Sequence, residues 1–330
     1  GQLGLRMSRI VAVCSSGIEM VETGKIKKML FTGLDNSGKT TILATLATER
    51  YIKATMKPTN FIERRDFQFL DYSITQHDLG GQKKYLIKYL KQPDKFFDNT
   101  DICVYVIDIQ DLGRYNETLE YAREVLEQFE QLGITPKIYV FFHKAENILL
   151  EGNLEFAKHV EMLTEKILDF NDNRFFIDFE TTTIYDNWTI TSAFSAIFED
   201  IYPKNEMVGK IMEDLSLRLH VKAIALLDKH LLTLANYSSP GDMKDLLLFC
   251  TSHLFTIHNS MKTFPKFKRE KLSLSLDRYR VVFIMNNKTD PVTYLSIIGE
   301  KDMMIKEDEI EQEISYLLPE LYAILNIKVK

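Results

Sequence analysis

Residues Gly33-Leu34-Asp35-Asn36-Ser37-Gly38-Lys39-Thr40 fit the pattern G-x-x-x-x-G-K-[ST]. A chain that wraps a triphosphate must turn successive backbone N–H groups inward, which requires glycine where a Cβ would clash or φ must be positive. The backbone of Asp35, Asn36, Ser37 and Gly38 would form that cradle, and Lys39 would bring a point charge to the β- and γ-phosphates. The Thr40 hydroxyl can ligate Mg²⁺, and Thr40, Thr41 and Ile42 open a helix whose N-terminal dipole favours an anion. The alternative is a fortuitous glycine turn with an exposed lysine; a strand before the loop and a helix after it argue against that.

Kinases, ATPases and GTPases share such a loop, so other residues must discriminate among them. Asp78-Leu79-Gly80-Gly81-Gln82 follows the second of two adjacent strand-like segments. Asp78 can hold Mg²⁺ through water, Gly81 can set a backbone N–H against a γ-phosphate, and Gln82 can orient an attacking water. Pro58-Thr59-Asn60 precedes the first segment, and Thr59 lies nineteen residues before Asp78. A Thr59 hydroxyl that reaches Mg²⁺ only while the γ-phosphate is present would make an order–disorder switch, although a Pro-Thr turn alone is more often structural. Arg64 and Arg65 read as solvent-facing strand residues rather than an arginine finger, and His77 as a partly exposed loop residue. The seven histidines show no i,i+4 clustering with acids, which argues against a histidine metal site.

These residues need a scaffold, and the first part of the chain supplies its signature. Met29-Leu30-Phe31, residues 102–107 and residues 138–142 are short, continuous apolar runs, the mark of strands buried on both faces. Between the last two, residues 115–132 place Leu119, Ala122, Leu126 and Phe129 at helical spacing. Alternating strand and helix predicts an α/β domain with a mostly parallel sheet. Segments 61–68 and 70–78 leave no room for a helix between them, so they must pair antiparallel and form one antiparallel edge strand.

Past Pro203 the pattern becomes α-β-β-α-β-β-β-α with short hairpins, which predicts a separate α+β domain. The expected division is 1–24 as an N-terminal extension, 25–204 as the nucleotide-binding domain and 205–330 as the second domain. Within the extension, Ile10-Val11-Ala12-Val13-Cys14 is apolar without a clear strand partner. From Met243, the positions Leu247, Cys250, Leu254, Ile257 and Met261 step alternately by four and three, a 3.5-residue seam. Leu246, Leu248 and Phe249 widen the apolar arc beyond what one sheet would cover, which suggests a partner.

Composition closes off other classes. The 330 residues are 45% hydrophobic and 27% charged, typical of folded protein rather than disordered chain. A net charge of −6 disfavours a non-specific nucleic-acid binder. Cys14, Cys103 and Cys250 are odd in number and far apart, so neither a disulfide framework nor a cysteine zinc site is expected. No apolar stretch approaches the roughly 18–20 residues of a membrane helix. No signal-peptide pattern is evident, and Leu5 stands where a myristoylation signal after Gly1 wants Ser or Thr. The expectation is a soluble, cytoplasmic protein that reaches a membrane surface only through partners.

Gly33 to Thr41, Pro58-Thr59 and Asp78-x-Gly-Gly-Gln, with their spacing, resemble small GTPases of the Arf type. A closer resemblance follows. Phe141-Phe142-His143-Lys144-Ala145-Glu146 stands where most small GTPases carry Asn-Lys-x-Asp, and is similar to the His-Lys-x-Asp of Rag/Gtr GTPases. Thr182-Thr183-Ile184-Tyr185-Asp186 resembles the Rag pattern Thr-Ser-Ile-Tyr/Trp-Asp, and residues 221–260 are Rag-like as well. The resemblance spans roughly residues 25–325. It implies that GTP is hydrolysed to GDP by water positioned by Gln82, slowly unless a partner protein accelerates it. Mg²⁺ would be held by Thr40, Thr59 and indirectly Asp78, and His143, Lys144, Glu146, Thr183 and Ile184 would surround the base. It further implies a roadblock/longin-like C-terminal domain that dimerises with a like chain, commonly a different one, and signalling through partner proteins.

One departure bears on specificity. Glu146 keeps the carboxylate of the usual Asp but adds a methylene, and bidentate geometry is stringent, which weakens the case for guanine preference. A nucleotide-binding scaffold with little or no hydrolysis is therefore the competing reading. A small-molecule kinase needs an acceptor site and an Arg-rich lid, and the antiparallel strand pair with Gly-Gly-Gln argues against it.

Overall fold

The computed structural model describes residues 28–46, 62–69, 72–149, 153–201, 206–241, 243–261, 270–290, 292–304, 306–325 and 327–329. The extension at 1–24, the Pro58-Thr59 turn and the boundary expected at 204/205 lie outside them. By packing the chain divides into two units, Gly1–Ile190 and Thr191–Lys330.

The first unit runs β1 (Lys28–Thr32), α1 (Lys39–Leu46), β2 (Ile62–Phe69), β3 (Tyr72–Leu79), α2 (Lys83–Lys91), α3 (Pro93–Phe96), β4 (Ile102–Asp108), a 3₁₀ turn (Leu112–Arg114), α4 (Tyr115–Leu132), β5 (Lys137–His143), α5 (Glu146–Leu149), α6 (Leu154–Asn171), β6 (Ile177–Thr182) and the start of α7 (Asn187–Ile201). The sheet order is β2-β3-β1-β4-β5-β6. All pairings are parallel except β2 with β3, which is antiparallel at the edge as the sequence requires. β1 is buried along its whole length and β4 along all but Asp108, because helices cover both faces. His77 belongs to β3, opposite Arg64 of β2, rather than to a loop; the side chains of Arg64 and Arg65 lie outside the described residues.

Two buried tyrosines fix α4 over the centre of this sheet. The Tyr121 hydroxyl meets Thr32 Oγ1 at 2.8 Å, and the Tyr105 hydroxyl donates to the Thr118 carbonyl at 2.7 Å. Tyr115, first residue of α4, donates to the Ile109 carbonyl at 2.6 Å. The turn between β4 and α4 is thereby held at the carboxyl end of the sheet. The strand order reverses between β1 and β4, and open α/β sheets bind ligands in the crevice at such a point.

The second unit contains the rest of α7, then α8 (Glu206–Leu219), β7 (Ala223–Leu227), β8 (Thr233–Ser238), α9 (Met243–Met261), β9 (Lys271–Leu276), β10 (Tyr279–Asn286), β11 (Thr289–Asp290), β12 (Thr293–Glu300), α10 (Glu307–Ile324) and β13 (Lys328–Val329). Five strands form an antiparallel sheet in the order β8-β7-β12-β10-β9. The division falls inside α7 because its later residues are held by this unit. Thr233 N–H donates to Ser195 Oγ at 3.2 Å, and the Glu199 carboxylate accepts from Lys244 Nζ at 2.8 and 3.0 Å and from Asn236 at 2.9 Å.

Helix α9 packs on that sheet through Leu247, Thr251, Leu254 and His258, with Thr251 Oγ1 donating to Ser296 Oγ at 2.6 Å. This line keeps Leu247 and Leu254 of the seam read from the sequence, whose Cys250 is buried as well, and departs from it at Ile257. Ile257 is not on the buried face; it is 49% exposed, and Phe249 is 42% exposed. Phe249, His253 and Ile257 are spaced by four and stand outward, with the rings of Phe249 and His253 4.5 Å apart. The wide apolar arc is thus real, but its outer part is a separate ridge.

Candidate functional site

The loop from residue 33 to residue 38 leaves β1 and enters α1 at the carboxyl edge of the sheet. Gly38 has φ of 97°, and a Cβ there would lie 2.3 Å from His143 Cδ2, so glycine is required both by conformation and by space. Asn36 also takes a left-handed conformation, with φ of 59°. Ile42 N–H donates to the Gly38 carbonyl at 2.9 Å, starting the helix from the loop itself, with Thr41 in its first turn.

Lys39 is buried, and its ammonium donates to the carbonyls of Gly33 at 3.0 Å and Leu34 at 2.7 Å and to Ser37 Oγ at 3.3 Å. Burial lowers its pKa to about 8, against the opposing pull of the Asp78 and Asp35 carboxylates. Thr40 Oγ1 donates to Asp78 Oδ2 at 2.6 Å, which brings two of the expected metal ligands together at the end of the loop. A hydroxyl and a carboxylate are hard oxygen donors, so the pair fits Mg²⁺; Thr59 lies outside the described residues.

The segment after β3 lies directly on this loop. Asp35 N–H donates to the Gly81 carbonyl at 2.9 Å, and a Cβ on Gly81 would come within 2.2 Å of Asp35 N and of Leu34 C. It is the Gly81 carbonyl, not its N–H, that meets the loop here. Gln82 begins α2 through its carbonyl, which accepts from Tyr85 N–H at 2.7 Å and Leu86 N–H at 3.2 Å; its side chain takes no part in that cap.

The base-motif residues converge from β4, β5 and β6. His143 ends β5 fully buried, with Nδ1 3.0 Å from Thr182 Oγ1; burial, and then the neighbouring Lys144 charge, lower its pKa to about 3, so the ring is neutral. Lys144 has φ of 60° and reaches Asp108 Oδ2 at 2.5 Å. Both oxygens of Glu146 are engaged: Oε2 accepts from Thr183 Oγ1 at 3.0 Å and Oε1 from Gln110 Nε2 at 2.7 Å. Gln110 Nε2 also donates to the Lys144 carbonyl at 2.9 Å, and Thr183 N–H to Thr189 Oγ1 at 3.0 Å. Ile184 follows in the same turn, half-buried.

Asp108, Gln110 and Arg114 are the residues that sequence reading missed. Asp108 carried a signal, an acid closing an apolar strand. Arg114 carried none: it lies in a turn, and its Nη2 meets Asp35 Oδ1 at 2.8 Å.

A sheet that reverses order beside a G-x-x-x-x-G-K-T loop, with an Asp-x-x-Gly segment seated on that loop and a His-Lys-x-Glu turn behind it, defines the small-GTPase class of nucleotide-binding domain. The Gtr1/RagA G protein conserved region matches residues 28–264. The chain therefore belongs to the Gtr1/RagA family of G proteins. It is similar to ADP-ribosylation factor-like protein 3 of Chlamydomonas reinhardtii, with 33% identity over 119 residues, 36% of this chain. That match spans 63% of the algal protein's length. Against ADP-ribosylation factor-like protein 2 of Dictyostelium discoideum identity is 28% over 138 residues, covering 41% of this chain and 69% of that one. Ras-related GTP-binding protein A of Dictyostelium discoideum is 23% identical over 228 residues, covering 68% of this chain and 73% of the relative. Among solved structures, the Arl6 BBS3 small GTPase of Trypanosoma brucei, with bound nucleotide analogue GppNp, matches at 22% identity and a TM-score of 0.43, over 53% of this chain and 97% of that one.

Proposed function

We propose that this chain is a GTP-dependent switch that binds GTP and GDP at the loop of residues 33–40 and hydrolyses GTP. The observation that carries the reading is the seating of Gly81 on Asp35, which couples the segment from Asp78 to Gln82 to the place where a terminal phosphate would lie. Lys39 and the loop amides bind the phosphates, and Gln82 orients the water for in-line attack. Thr40, Thr59 and indirectly Asp78 would hold Mg²⁺, which would neutralise charge on the phosphates. Turnover by the chain alone is slow, and a partner protein accelerates it.

In the same reading the second unit is a roadblock/longin-like module through which the chain pairs with another Rag/roadblock-type chain. The outward ridge of Phe249 and Ile257 on α9 supports this, as does membership of a family whose Rag members commonly heterodimerise. The protein works in the cytoplasm, and partners bring it to a membrane surface. Single-turnover hydrolysis of GTP tests the enzymatic claim: Gln82→Leu should slow it by about tenfold or more, and an unchanged rate would remove Gln82 from the mechanism.

A second reading, a nucleotide-binding scaffold without useful hydrolysis, is favoured by the prior engagement of both Glu146 oxygens by Thr183 and Gln110. Guanine recognition requires that carboxylate to accept from the base as well. Hydrogen bonds to a charged group contribute about 1.5–3 kcal/mol each, so loss of even one of them in Glu146→Ala should cut the preference for GDP over ADP by about tenfold to 10². Competition binding with the two nucleotides reads this directly; an unchanged ratio would show that Glu146 does not read the base.

A further inference from the structure

The phosphate loop carries a carboxylate of its own, Asp35, half-exposed beside amides that must hold a triphosphate. A small cleft beside the loop is lined by two more acids, Asp108 and Asp111. Such crowding of negative charge opposes an anionic ligand unless it is answered. Lys144 answers Asp108 at 2.5 Å. Arg114 answers Asp35: Nη2 meets Oδ1 at 2.8 Å, and Nη1 lies 3.4 Å from the Asp35 carbonyl. The guanidinium is aimed by a third contact, Nε to Glu117 Oε2 at 2.8 Å on the first turn of α4. That helix is itself anchored to the sheet through Tyr105, Tyr115 and Tyr121. Among the described residues lining the cleft, Arg114 is the one cation.

We propose that Arg114 is a positioning residue for nucleotide binding: by neutralising the Asp35 carboxylate it lets the phosphate loop accept a triphosphate. The inference rests on the nucleotide-binding reading above and adds to it a residue outside the phosphate-loop, switch and base motifs. Because the γ-phosphate adds charge, GTP depends on this neutralisation more than GDP does.

The test is a charge-rescue cycle on the full chain, with fluorescent GTP and GDP analogues as probes in the presence of Mg²⁺. Arg114→Ala should weaken GTP binding by about three- to tenfold and GDP binding by less. Adding Asp35→Asn to Arg114→Ala should recover most of that loss, since the charge needing neutralisation is gone. A merely structural arginine, fixing the turn through Glu117, would not be rescued by that second change. Wild-type affinity in Arg114→Ala, or a double variant no better than the single one, overturns the proposal and leaves the nucleotide-binding reading intact. A wild-type chain that binds neither probe overturns that reading itself.

Discussion

Lys39→Ala is expected to lower the affinity for GTP and GDP by a factor on the order of 10²–10³, through loss of a buried charge-assisted contact to the phosphates. The fold should survive. The lysine is held by three oxygen acceptors of the loop, but its charge is buried, so the loss of those bonds and the relief of that burial act on stability in opposite directions. The same residue gives two pH slopes of opposite sign. Its pKa is about 8 in the folded chain against 10.5 for an ordinary lysine. Between those values the unfolded chain binds more protons, so this group's contribution to stability rises with pH there, and the full cost of burying the charge is present below about 8. Phosphate needs the ammonium, so nucleotide affinity should fall as pH rises above about 8. Binding titrations and thermal melts across that range check both slopes. Lys39→Ala should flatten them, and a variant that binds GDP as the wild type does would refute the role of Lys39.

Gly81→Ala carries the second large effect. The new methyl group would sit 2.2 Å from Leu34 C and Asp35 N, both backbone atoms, and neither can move aside as a flexible side chain would. The segment must leave the loop, the Asp35 N–H to Gly81 bond must break, and Gln82 shifts with it. Misplacing a positioning group by about 1 Å can cost on the order of 10²-fold in rate, so single-turnover GTP hydrolysis should fall by that order. GDP affinity should change much less, because Lys39 and the loop amides remain. Normal hydrolysis in Gly81→Ala would mean that the contact with Asp35 has no part in turnover.

What the sequence discloses and what it hides have physical causes. The parallel sheet is legible because strands such as β1 and β4, buried on both faces, must be continuous apolar runs, and β2 is legible because no helix fits between it and β3. The phosphate loop is legible because its geometry demands glycine at fixed positions. The face of α9 is harder: Ile257 and His258 are neighbours in sequence, and hydropathy puts the isoleucine inward. The structure buries His258 edge-on against the stacked rings of Phe283 and Tyr294, each 6.2 Å away, and leaves Ile257 outside. Gln110 and Arg114 escape sequence reading because their partners, Glu146 and Asp35, lie 36 and 79 residues away. Only the sheet's strand order brings those turns together.

The most direct test of the account is a titration of the purified chain, with Mg²⁺, against GTP, GDP, ATP and ADP. Binding of both guanine nucleotides about tenfold or more tighter than their adenine counterparts is the expected result. Equal affinity for the two bases would contradict guanine recognition through Glu146, and no binding of any of the four would contradict the switch itself.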